Sequence, residues 1–177
     1  MVLRDSYTTA CGGRLVVPRK TREHLLAHPD VVGLLDEVTG LIQLPSDGSF
    51  LATEVNLGRV LGRSGCVATT PISMNESTLF AQRVAREKPT RVVVGMEGPK
   101  TSLVALLAFA SREPGRTYVL ITAWRGPIAP KEPWDKTLGS EGEKAVALKF
   151  WCHNALVYDP AVMGEPFEST WEEVLRT

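Results

Sequence analysis

The chain reads as an α+β fold: N-terminal helices packed on an antiparallel sheet of about four strands, with one or two C-terminal helices. Three observations carry that reading. Residues 31–42 place Val31, Leu34, Leu35, Val38, Leu41 and Ile42 at three- and four-residue spacing, which gives a helix one apolar face. Three runs rich in β-branched and apolar residues, 90–94, 102–110 and 117–124, follow one another closely in mid-chain. Helical patterns return at 142–154 and 170–175. The links between the three runs are too short for a crossover, so antiparallel neighbours are expected.

In chain order, Gly12 and Gly13 precede a short strand, 14–18, closed by Pro18. Thr21 can cap a short helix that reaches His28 and stops at Pro29. Asp30 caps the helix over 31–42, and Gly40 weakens its last turn. A Ser46, Asp47, Gly48 turn leads to a strand over 50–55. Residues 56–65 carry three glycines and two arginines, a loop with a helical turn in it, and 66–69 is a brief strand. Leu79, Phe80, Val84 and Ala85 favour a helix over 77–87, although a strand bent into a hairpin fits the same residues. Residues 103–109 are apolar on both faces and are expected to form a central, covered strand. After 117–124 comes a loop stiffened by Pro127, Pro130 and Pro133, which reads as a wall beside the strand end.

At 177 residues the chain is read as a single domain, 1–177, with a helix-plus-sheet core over 1–134 and a C-terminal helical extension over 135–177. The formal net charge is zero, which argues against a strongly basic nucleic-acid binder. The charge is unevenly spread. Residues 1–24 and 83–100 each hold five basic residues against two acids, and 159–177 holds five acids against Arg176 alone. The widely spaced Cys11, Cys66 and Cys152 form no CxxC pair, so reduced thiols, buried by default, are expected. No apolar leader and no run of 18 apolar residues is present, which points to a cytoplasmic protein without a membrane partner. The P-loop, GxGxxG, GxSxG and HExxH patterns are absent, so no cofactor is expected.

The residues suited to chemistry are few. His24 and His28 stand four apart, hence on one helical face, and imidazole titrates near neutral pH. No Glu and no third ligand accompany them in a metal-binding pattern, so an acid/base or phosphate-contacting role is preferred. Cys152 and His153 are adjacent on a helix and point apart, so they are not a nucleophile–base pair. Arg59, Arg63, Arg83, Arg86 and Arg91 feed the expected sheet edge, and guanidinium groups bind phosphate bidentately. With Thr122 and Arg125 at the sheet end, this set suits cleavage of RNA by its own 2′-hydroxyl, which needs proton transfer and electrostatic stabilisation.

The order of the basic helix with His24, the 50–62 segment, residues 80–83, the three strands and residues 118–126 resembles a family of ribonuclease toxins. These are the toxins with barnase, EndoU, colicin and RelE-like folds, notably effector domains of contact-dependent and polymorphic toxin systems. The resemblance covers roughly 14–134. It implies a toxin-type, metal-independent endoribonuclease with His24 or His28 as general base or acid. Thr122 would be the orienting hydroxyl, Arg125 or Arg83 the phosphate clamp, and Arg63 a further phosphate contact. RNA is then the partner, and the acidic C-terminal segment is a surface for a protein partner. The competing class is a non-catalytic protein-interaction module, phage- or defence-associated, using exposed tryptophans as anchors.

Overall fold

A computed structural model describes residues 3–26, 29–84, 86–113 and 115–176. The chain begins with β1 (Ser6–Thr8), β2 (Arg14–Val16), α1 (Arg19–Leu26), α2 (Pro29–Val32) and α3 (Leu35–Thr39). There follow β3 (Leu51–Asn56), β4 (Gly62–Arg63), β5 (Cys66–Ala68), β6 (Thr78–Ala81) and β7 (Thr90–Val93). Next come β8 (Lys100–Thr101), β9 (Leu103–Ala110), β10 (Thr117–Arg125) and α4 (Glu141–His153). The last elements are β11 (Asn154–Val157), β12 (Phe167–Ser169) and α5 (Trp171–Arg176).

These elements form two compact units, Met1–Arg63 with Lys100–Ile128, and Ser64–Pro99 with Ala129–Thr177. The first unit holds a five-stranded sheet in the order β1-β2-β10-β9-β3 and a two-stranded ribbon, β4-β8. Strand β10 runs parallel to β2, and the other pairs of the larger sheet are antiparallel. Alternation along β9 and β10 turns Val104, Leu106, Ala108, Tyr118, Leu120 and Ala123 into one core with Leu25, Leu35 and Val38 of the helices. Tyr118 is buried without losing its polar bond, because its hydroxyl donates to the Ser49 carbonyl at 2.9 Å.

The second unit holds a sheet in the order β12-β6-β7-β11-β5, with β7 and β11 parallel and the rest antiparallel. Its core gathers Phe80, Trp151, Cys152, Trp171 and Val174. Phe80 and Trp171 meet edge to face, with ring centroids 4.9 Å apart. Both ends of α4 are satisfied. Ser140 Oγ accepts from the Glu143 amide at 3.2 Å while Glu143 Oε2 accepts from the Ser140 amide at 3.0 Å, a capping box. At the other end the buried Arg91 guanidinium donates to the carbonyls of Trp151, Cys152 and Asn154.

The expected architecture is therefore corrected. Instead of N-terminal helices on one antiparallel sheet of about four strands, the described residues form sheets of five, five and two strands, each large one containing a parallel pair. The 90–94 run is not a neighbour of 102–110, since β7 pairs with β6 and β11. Segment 94–99 turns through Gly95 at φ +74° and then lies against Ser64, whose amide bonds the Pro99 carbonyl at 2.9 Å. Gly98 packs onto the Ser64 carbonyl where a Cβ would collide, so the expected hairpin is diverted. Residues 77–87 contain β6 rather than a helix, because Phe80 and Ala81 gain full burial between β7 and β12. The single helix over 31–42 is two short ones, α2 and α3, interrupted at Gly33. No helix among the described residues is long and apolar enough to cross a membrane.

Candidate functional site

Strand β2 covers the edge of β10 only from Thr117 to Val119. The chain then turns at Pro18 into α1, which takes over the same edge. Thr21, inside the first turns of α1, donates its hydroxyl to the Leu120 carbonyl at 2.9 Å. A register shift between Leu120 and Thr122 sets the next side chains of β10 against the helix. His24, three residues beyond Thr21, brings Nε2 to 3.4 Å from Thr122 Oγ1, a contact between residues 98 apart in sequence. Either atom can donate, depending on the imidazole tautomer. His24 is exposed and Thr122 half-buried, so an approaching substrate can reach both.

The neighbouring charges on α1 are mostly taken. Arg19 Nε pairs with Glu23 at 2.9 Å, and Arg22 pairs with Asp5. Lys20 is exposed and has no ion pair among the described residues. It precedes His24 by four residues, which puts both on one helical face.

Arg125 lies in the same unit but is committed elsewhere. Its Nε stands 2.6 Å from Asp30 Oδ2 in an ion pair, and Nη1 donates to the Leu61 carbonyl at 2.9 Å. The guanidinium also covers Gly62, where a Cβ would strike it. A cation so neutralised has little charge left for a phosphate. Arg63 lies in the β4-β8 ribbon opposite Lys100. His28 lies outside the described residues.

Arg83 belongs to the second unit. It pairs with Glu132, whose side chain is only 3% exposed. Burial, and then the repulsion of Arg86, pull the Arg83 guanidinium down to about 10, so it remains charged at neutral pH. Breaking such a pair leaves a buried charge uncompensated, which makes Arg83 a structural cation rather than a clamp. His153, at the end of α4, turns Nδ1 onto the Lys149 carbonyl at 2.7 Å.

The tryptophans do not form exposed anchors. Trp151 and Trp171 are buried, and the indoles of Trp124 and Trp134 are half-buried with Nε1 donating to Pro127 and Pro89 carbonyls. Three acids of the C-terminal segment are used locally, Glu173 bonding Ser169 at 2.8 Å, Glu172 pairing with Arg176, and Asp159 accepting from the Ala161 amide at 2.9 Å.

One reactive group escaped the sequence reading. Cys11 is half-exposed rather than buried, in the turn between β1 and β2. Its sulfur meets Thr9 Oγ1 at 3.3 Å and the Leu44 amide at 3.4 Å. Bonds from Thr9 first, then Leu44, outweigh burial and lower the thiol to about 6. The Thr9, Cys11, Gly12, Gly13 spacing was the available signal, since a glycine turn exposes amides to a flanking thiol. Burial instead raises Cys66 and Cys152.

No protein-family model matches the chain, and comparisons with curated proteins and with solved structures give no match either.

Proposed function

We propose that the first unit is a metal-independent endoribonuclease of toxin type, acting where α1 meets β10. The observation that carries the reading is the 3.4 Å contact between His24 Nε2 and Thr122 Oγ1. In this reading the 2′-oxygen attacks the adjacent phosphorus and passes its proton to neutral His24. The bond to the 5′-oxygen breaks, and that oxygen takes a proton from solvent, leaving a 2′,3′-cyclic phosphate. Thr122 holds the imidazole and orients the attacking hydroxyl. Lys20 replaces Arg125 as the cation facing the phosphate, because Arg125 is held by Asp30. Proton transfer by a positioned imidazole contributes roughly 10²–10⁴-fold to a rate.

The test is incubation of the purified chain with bulk RNA and with an all-deoxy analogue, with and without chelator. Cleavage is expected only of RNA, with cyclic-phosphate ends, and insensitive to chelator. His24→Ala is expected to lose about 100-fold or more of the rate, and Thr122→Val about tenfold. Intact RNA with the wild-type chain, or full activity in His24→Ala, overturns the reading.

A further inference from the structure

The second unit contains a groove of about 650 Å³ that the reading above does not use. Its volume falls in the range of about 300–1,000 Å³ in which proteins hold small ligands. One wall is a side of α4, where Ala145 and Leu148 lie one turn apart. Trp134 and Leu138 of the proline-rich loop and Leu175 of α5 also line it. Trp134 is a fixed surface. Its Nε1 donates to the Pro89 carbonyl at 2.9 Å, part of the ring packs on the core, and Pro133 restrains its backbone. A flat ligand stacking there would immobilise little that is not already held.

The charges around the groove are not equivalent. Lys136 pairs with Glu87 and Lys144 with Glu141, each at 2.7 Å. Asp135 turns its carboxylate into its own loop, accepting from the Thr137 amide at 2.9 Å and the Thr137 hydroxyl at 2.5 Å. Lys88 is different. Among the described residues its half-buried ammonium donates only to the main-chain carbonyls of Val174 at 3.2 Å and Leu175 at 3.4 Å. No carboxylate among the described residues pairs with it. Partly desolvated beside apolar walls, this ammonium gains from an anion that solvent would otherwise have to supply.

We propose that the groove binds a small organic anion on a flat apolar body, its charged head on Lys88 and its body against Trp134, Leu138 and Leu148. Carboxylate and phosphate heads share this chemistry. The site is independent of the His24 reading and lies in the other unit.

Calorimetric titration of the full chain with 1-naphthoate, 1-naphthyl phosphate and the neutral 1-naphthamide tests it. One or both anions are expected to bind saturably at one site, at least tenfold tighter than the amide, and the tighter anion identifies the head group. Lys88→Met is expected to weaken the anions about tenfold and leave the amide unchanged. Lys88 also bonds α5, so a second variant is needed. Ala145→Trp fills the groove from an exposed helix position, removes no hydrogen bond, and is expected to abolish binding while the circular dichroism spectrum stays unchanged. No saturable binding of either anion, equal affinity for the amide, or wild-type affinity in folded Ala145→Trp overturns the proposal.

Discussion

Cys11 shows how far a few neighbours can move one group. With Thr9 Oγ1 at 3.3 Å and the donating Leu44 amide at 3.4 Å from its sulfur, the folded thiol is lowered from its ordinary 9.0 to about 6. Iodoacetamide labelling should therefore rise with a midpoint near pH 6 at Cys11 alone, while Cys66 and Cys152 label slowly. Thr9→Val should move that midpoint towards 9. The same shift sets a sign for stability. A depressed folded value contributes stability that is complete above 9 and lost as pH falls through 6, so the deficit of Cys11→Ser should shrink from pH 9 to pH 6. Peptide mapping after labelling and urea titrations at the two pH values check both statements. Gly62 is the second residue whose surroundings decide its role, since φ +143° and the overlying Arg125 guanidinium leave no room for a side chain. Gly62→Ala should lower stability by more than about 1 kcal/mol, read as a lower urea midpoint.

At the scale of an element, α4 is held by different means at its two ends. Its capping box is exposed and local, so Ser140→Ala should cost about 1 kcal/mol. Its C-terminus depends on Arg91, which is 4% exposed, reaches it from β7, and bonds three carbonyls there. Arg91→Met removes this shared donor, leaving the Cys152 carbonyl only the Ile72 amide at 3.0 Å, and should cost about 2–3 kcal/mol, clearly more than the cap. Equal losses in paired urea titrations would contradict this difference. The cap was readable from the spacing of Ser140 and Glu143. The Arg91 contact was not, because it joins residues about sixty apart. Strand β6 makes the same point: Leu79 and Phe80 fit a helix or a strand equally, and only pairing with β7 and β12 decides between them.

At the scale of the whole molecule, the chain passes between the two units three times, at 63–64, 99–100 and 128–129. Neither unit is a continuous stretch. A fragment of residues 1–99 lacks β9 and β10, the strands that bond β2 and β3 into the first sheet. It is expected to show no dispersed amide spectrum, although it contains all three helices described in that unit. A dispersed spectrum would mean that the first unit forms without its central strands. The sequence by itself determined the local elements: the β9-β10 hairpin, β3, α4, α5, and the turns at glycine and proline, because each follows from propensity and periodicity within a dozen residues. It also singled out His24 and Thr122 separately. Only the tertiary structure decided that they meet, that Arg125 and Arg83 are tied to Asp30 and Glu132, and that β7 joins another sheet. Strand partners and ion pairs are chosen by which distant segments arrive together, and no spacing within one segment encodes that.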